Sequence, residues 1–201
     1  MNAFVKIPAN KASLARRKKV FGVGVNNSNY KVRYADGKQQ VLCPAYMKWH
    51  NMLRRCYSDK LHERLPAYKD ATVCDEWLRF SVFERWLSNN NINGWHLDKD
   101  IKHVGNKIYS PSTCLLVPLE INGLVIKNES RRGKYKIGAC YDKSRNKYYS
   151  SLSIDGANVK LGRFDSENDA HNAYKLAKNA EVMRKCEQYP QFAKYLINHL
   201  M

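Results

Sequence analysis

The chain has 201 residues, 44% of them hydrophobic, and a formal net charge of +17. That length suits one or two domains with a real core, and no run nears the ~20 apolar residues of a membrane span or the apolar core of a secretory leader. Residues 1–60 carry 13 Lys/Arg against 2 Asp/Glu, residues 61–128 carry 8 of each, and residues 129–201 carry 14 against 8, so two basic flanks bracket a neutral centre and nucleic acid is favoured over acidic membrane as partner.

Residues 1–19 read as a mobile basic arm, with Arg16, Arg17, Lys18 and Lys19 placed for phosphate contact. "ARRKK" is read as part of that arm in preference to a nuclear import signal. Residues 20–42 read as a β-meander, since "NNSN" and "ADGK" are turn signals between β-branched and aromatic runs. Pro44 opens a helix over "PAYMKWHNMLRRCY", with Ala45, Trp49, Met52, Leu53 and Cys56 on its apolar face and Lys48, Arg54 and Arg55 elsewhere on it. A second helix is predicted over 75–88. Its aromatic stripe of Trp77, Phe80, Phe83, Trp86 and Leu87 reads as core before it reads as a base-stacking platform. The cysteines at 43, 56, 74, 114, 140 and 186 show no CxxC pair, so single core thiols are expected, with neither zinc nor disulfides.

Residues 97–124, "LDKDIKHVGNKIYSPSTCLLVPLEINGL", then read as strand, loop, strand and helix. Asp98 and Asp100 are expected on one face of the first strand, with Lys99 pointing away from both. His96 and His103 read as surface or loop histidines, and Asn122 lies on the helix. "NESRRGK" reads as a basic linker. Beyond it, "YKIGACYD", "KYYSSLSI" and "VKLGRF" are three strands joined by "KSRN" and "DGAN" turns, followed by a helix capped at Asp165 or Ser166. Alternation puts Lys136, Gly138, Cys140, Tyr149, Ser151, Ser153 and Lys160 on the sheet face away from the helix, and Arg163 is assigned to the same face. Arg131, Arg132, Lys143, Arg145 and Lys147 fall at the edge. Pro190 opens a last short helix.

In "KIGACYDKSRNKYYSSLSIDG" and "VKLGRFDSENDAHNAYKLA", the run Leu161, Gly162, Phe164, Ala170, Ala173 and Tyr174 resembles the AP2 DNA-binding domain of plant transcription factors and many phage nucleases. The resemblance covers about a quarter of the chain and implies a sheet laid on duplex DNA. The family usually carries a Trp and arginines on its second strand. Here stand Tyr148, Tyr149, Ser151 and Ser153, so phosphate contacts are expected to dominate.

"WHNMLRRCY", "VCDEWLRFSVFERW" and the stretch from Leu97 to Leu124 together resemble phage-encoded HNH-type proteins related to homing endonucleases, whose core is a ββα-metal fold. The resemblance implies a divalent ion, Mg²⁺ in the first place, between the strand and the helix. It puts Asp98 at the strand ligand, Asn122 at the helix ligand and Asp100 as a further carboxylate. The general base of that family is a His, and its position here is Lys99, a poor base near its ordinary pKa of ~10.4. Asp100 or His103 could activate water instead, or the metal alone, or the site no longer cuts.

The expected architecture is therefore α+β. It comprises a basic arm (1–19), an HNH-like ββα domain with an N-terminal β-meander and helices (20–127) and a linker (128–133). An AP2-like three-stranded antiparallel sheet packed on a helix (134–187) and a C-terminal helix (188–201) complete it. The expected function is metal-dependent cleavage of double-stranded DNA, the alternative a non-cutting relative acting as a regulator or repressor. Neither a membrane nor a small-molecule cofactor is expected. The resemblance implies a phage protein in the host cytoplasm, and nothing in the sequence reports an oligomeric state.

Overall fold

The computed structural model describes residues 4–90, 94–125 and 133–201, with 44% helix and 23% strand, a mixed α+β fold. The chain divides into two units, Met1–Leu116 and Val117–Met201.

In the first unit, the segment expected as a mobile arm is built into the fold. Ala9 N donates to Asn29 O (2.9 Å) and Lys31 N to Ile7 O (2.8 Å), with Pro8 and Tyr30 bridged antiparallel. Helix α1 (Lys11–Ala15) follows, capped by the Asn10 side chain on Ser13 N at 2.8 Å. The meander expected over 20–42 is only half formed. Residues 20–24 make a tight reverse turn, and the regular hairpin is β1 (Arg33–Asp36) with β2 (Gln39–Leu42). Its two-residue loop opens on Gly37 at φ 59°, the sign that a type II′ turn needs at that position.

Helix α2 (Pro44–Tyr57) matches its expected span and buries Trp49, Met52, Leu53 and Cys56. After α3 (Asp59–Arg64) and β3 (Thr72–Val73), the single helix expected over 75–88 is broken. A 3₁₀ turn covers Asp75–Leu78, Arg79 is extended, and α4 runs Phe80–Asn90. The break has a long-range cause. Val25 lies parallel to Arg79, donating to Leu78 O (2.7 Å) and accepting from Phe80 N (3.0 Å), while Asn27 Oδ1 caps Ser81 N at 2.9 Å. Trp77, Phe80, Phe83 and Leu87 are core, as the sequence suggests. Three short strands close the unit: β4 (His96–Asp98), β5 (Ile108–Tyr109) parallel to β3, and β6 (Leu115–Val117) paired with β4. The division between units falls inside β6.

In the second unit, α5 (Leu119–Val125) precedes an antiparallel sheet of β7 (Cys140–Asp142), β8 (Lys147–Ile154) and β9 (Ala157–Phe164), in that order. Asp155 and Gly156 join β8 to β9 with both φ angles positive, as a type I′ hairpin demands. Helix α6 (Glu167–Gln188) is capped by the Ser166 hydroxyl on Asp169 N at 3.1 Å and carries Glu167 and Asp169 in its first turn, where its dipole favours them. It lies close on the chain before β7: a Cβ on Gly138, at φ 80°, would fall 2.0 Å from Tyr174 Cγ. Tyr189, just before α7 (Pro190–Leu196), donates to Glu120 Oε1 of α5 at 2.5 Å, and Lys178 of α6 donates to Leu124 O. All six cysteines are free, and Cys140 alone among them is exposed. Among the described residues no helix is long and apolar enough to cross a membrane.

Candidate nucleic-acid interface

Residues three apart in a plain strand face opposite ways. Lys160 and Arg163 are three apart on β9, yet both stand on the face away from α6. A bulge is the reason. Ser150 pairs with Gly162 and Ser151 with Lys160, so Leu161 has no partner on β8. Gly162, at φ 134°, supplies a backbone that other residues rarely adopt. The pairings then lay out the outer face in rows: Cys140, Tyr149 and Arg163; Ser151 and Lys160; Ser153 and Asn158. On the opposite face Ser150 and Leu152 are buried. Four of the residues singled out from the sequence, Tyr149, Ser151, Lys160 and Arg163, thus share one surface.

The edge residues divide. Lys143 is exposed at the β7–β8 turn. Arg145 pairs with Asp142 at 3.0 Å and Lys147 with Asp165. The Ser144 hydroxyl and the Arg145 guanidinium hold Asp142 down at about 2. Exposed pairs of this kind add little to stability, so a phosphate can replace the carboxylate. Lys136 is a correction. It precedes β7 and lies at the start of α6, where its backbone N donates to Glu167 Oε1 (2.5 Å) and its Nζ to Asn168 Oδ1 (2.5 Å), so it is not on the sheet face. Arg131 and Arg132 lie outside the described residues.

In the first unit Arg16, Lys18 and Lys19 are exposed. Arg17 is not available as they are. Its guanidinium donates to Asn26 O (3.0 Å), Ser28 O (2.5 Å) and Tyr30 O (2.8 Å), holding residues 26–30 against the end of α1.

The stretch from Asp98 to Asn106 differs from its expected form. β4 ends at Asp98, whose Oδ1 accepts from Asp100 N (2.7 Å) and Ile101 N (2.8 Å) and turns the chain. The alternation that would direct Lys99 away from both carboxylates therefore stops before it acts. Lys99 is 6% exposed, and its Nζ donates to Asp100 Oδ1 (2.7 Å) and Asn106 O (2.5 Å). Asn106 answers by donating its Nδ2 to Lys99 O (2.9 Å) and Ile108 O (2.7 Å). Lys99 is thus a clasp for residues 99–108. Burial pushes the Asp98 carboxyl above its usual range, against the two backbone N–H groups that favour the charged form. His103 is exposed, and Asn122 belongs to the second unit.

A divalent ion needs several free oxygen ligands. Asp98 already satisfies Oδ1 with two amides, and an ion on Asp100 Oδ1 would displace the buried Lys99 ammonium. As placed, these carboxylates do not fit the metal that the HNH resemblance implies.

Sequence reasoning passed over the outer face of β4. Leu97 is buried, so His96 and Asp98 face the other way. Lys48 and Arg55 stand seven residues apart on α2, on one side of the helix. Lys48 Nζ donates to Trp95 O at 2.6 Å, and burial lowers its pKa. Arg55 reaches Tyr109 Oη at 3.5 Å, with the Tyr68 ring 5.8 Å away. Burial opposes the Arg55 charge, but Tyr109, Tyr68 and Asp98 outweigh it and hold its pKa up. Partial burial, then the charges of Lys48 and Arg55, hold the His96 pKa down. The i, i+7 spacing of Lys48 and Arg55 is the one signal for this cluster that the sequence carries.

Comparison with family models, with curated proteins and with solved structures finds no match to this chain.

Proposed function

We propose that the protein binds double-stranded DNA through the outer face of the β7–β8–β9 sheet. The observation that carries this is the β9 bulge, which turns Lys160 and Arg163 to the same side as Tyr149 and Ser151. The net charge of +17 supplies the sequence-independent attraction. Serines between the cations leave room for a backbone to come close, and Lys143 adds a cation at one end. Strand order, antiparallel pairing and the helix behind the sheet agree with the AP2-like resemblance. In the first unit and α5, the order strand, loop, strand, helix agrees with the HNH-like one.

Of the two activities that go with this reading, binding without metal-dependent cleavage is favoured. Lys99 and Asp100 are committed to each other, and Asp98 to a turn. The role that follows is that of a DNA-binding regulator. Filter binding or fluorescence anisotropy with a mixed-sequence duplex tests the binding: affinity should fall steeply between low and physiological salt. A nicking assay with Mg²⁺ or Mn²⁺ tests the rest. Cleavage by the wild type that Asp98→Ala abolishes would restore the endonuclease reading.

A further inference from the structure

The outer face of β4 gathers donors that the protein does not use up. Arg55 has five N–H donors, and among the described residues they meet only the 3.5 Å bond to Tyr109 Oη, with no ion pair. Lys48 spends one of its three donors on Trp95 O. The His96 ring has no hydrogen-bond partner among the described residues. Lys48 and Arg55 are half-buried, so water replaces the missing acceptors less freely than it would at the surface. Asp98 favours the Arg55 charge without forming an ion pair with it. A half-buried guanidinium beside an ammonium, both short of acceptors, is chemistry for a tetrahedral oxyanion.

We infer that Lys48, Arg55 and His96 form a second phosphate-binding site, which holds one backbone phosphate of the nucleic acid bound by the sheet. The inference rests on the DNA-binding reading for the source of the phosphate. Its geometry is that of the first unit alone. Arg55 supplies a planar pair of donors, Lys48 a point charge anchored on Trp95 O, and His96, exposed at the rim, a ring nitrogen. The site takes the place of the metal centre that the sequence resemblance implies: cations of the chain, not an ion held by Asp98 and Asp100, would meet the phosphate.

The test uses the full chain, isotopically labelled, titrated with inorganic phosphate against a sodium chloride control of equal ionic strength. The His96 ring and Arg55 side-chain resonances should move saturably with phosphate and stay in place with chloride. His96→Gln, at an exposed position, and Arg55→Gln should each weaken the phosphate response several-fold. Each should also weaken duplex binding by about 3–10-fold, and Arg55→Gln should lower the log–log salt slope by about one. Thermal melts identify any variant that fails to fold, and His96→Gln carries the test if Arg55→Gln does. If phosphate leaves both resonances unmoved and His96→Gln binds duplex as the wild type does, the site is overturned. The two proposals fail separately. Loss of duplex binding in Arg163→Ala alone, with no phosphate response at Arg55, sinks the second site and leaves the sheet interface. A phosphate response at Arg55 without duplex binding by the wild type sinks the sheet interface and leaves the second site.

Discussion

Lys185 Nζ lies 2.6 Å from Asp155 Oδ1, tying the tip of the β8–β9 hairpin to the last turns of α6. Lys185 is buried, and Asp155 also meets Arg184 at 2.7 Å, which in turn holds the buried Glu181. The sheet that carries the proposed interface is thus pinned to its helix at the hairpin end by charge, and at the other end by the close approach of Gly138 to Tyr174.

Asp155→Asn keeps a residue that tolerates the positive φ of the turn and removes the charge. The Lys185 hydrogen bond, with Arg184 beside it, lowers the Asp155 pKa in the folded state. The folded value lies below the unfolded value of about 3.9, so the stabilisation is full above that value and disappears as pH falls through the folded pKa. The variant should melt several degrees below the wild type at pH 7. The gap should narrow as pH falls below about 4, which thermal melts from pH 7 to pH 2 would show. A gap that stays constant with pH would mean that the pairing is not what stabilises the hairpin.

Gly138→Ala tests the opposite end. The added methyl would meet the Tyr174 ring at 2.0 Å on a backbone at φ 80°. Overpacking costs about 1–3 kcal/mol and a left-handed non-glycine residue about 1–2 kcal/mol, so urea melts should report a loss of about 3 kcal/mol.

Lys99 is predicted to be structural. Lys99→Ala leaves Asn106 O without its charged donor and Asp100 without its pair, at a cost of about 1.5–3 kcal/mol, the range for hydrogen bonds to charged groups. Lys99→Met fills the same space and should recover part of that loss. Duplex affinity should change by less than about twofold in Lys99→Met, since the ammonium faces Asp100 and Asn106 and not solvent. A large loss of affinity in a variant that folds normally would give Lys99 a functional role.

These outcomes bear on how much of the molecule its sequence discloses. Helix α2 was legible because Pro44 marks its start and the apolar residues keep helical spacing. The Asp155–Gly156 hairpin and the Ser166 cap were legible because their signals are local. The features misread are those set by distant partners. The aromatic stripe runs unbroken through residue 79, and only the backbone of Val25 ends the helix there. β3 and β5 are two residues each, too short for periodicity to reveal, and they exist through each other. Lys99 was misplaced because the Asp98 side chain stops the strand one residue early. In the candidate interface, Lys160 and Arg163 could be assigned to one face only by setting alternation aside, and the bulge supplies the physical reason. The Lys48–Arg55 pair was passed over because the apolar stripe of the same helix is the stronger signal.

Arg17 and its neighbours separate folding from binding within one basic run. Arg17→Ala strands three backbone carbonyls between residues 26 and 30, and should lower stability by about 2–3 kcal/mol. Arg16→Ala, Lys18→Ala and Lys19→Ala remove exposed charges and should leave the melting temperature within a degree or two of the wild type. If this segment reaches the DNA, the triple variant gives up long-range attraction, and its salt slope falls by up to about one for each phosphate it no longer neutralises. Melts and salt titrations on the same two proteins decide the point. A stable Arg17→Ala would mean that its carbonyl contacts are dispensable, and an unchanged slope in the triple variant would confine DNA contact to the other surfaces.

Lys160→Ala and Arg163→Ala test the two cations that the bulge brings to one face. Each should weaken duplex binding by roughly the same factor on every sequence if the residue contacts phosphate, and reduce the salt slope by about one. Both side chains are exposed, so melting temperatures should hold. Deleting Leu161 removes the unpaired residue. Plain alternation then leaves Lys160 and Arg163 two residues apart on β9, still on a common face, while Gly162 stands opposite both of them. The deletion should therefore preserve most of the binding, provided the strand keeps its pairing with β8. Replacing Gly162 with Val keeps the extra residue but forbids φ 134°, so it should disrupt the local register and weaken binding together with stability. Binding that survives Gly162→Val in a variant whose β9 pairing is disrupted would place the DNA contact elsewhere than on the bulged strand.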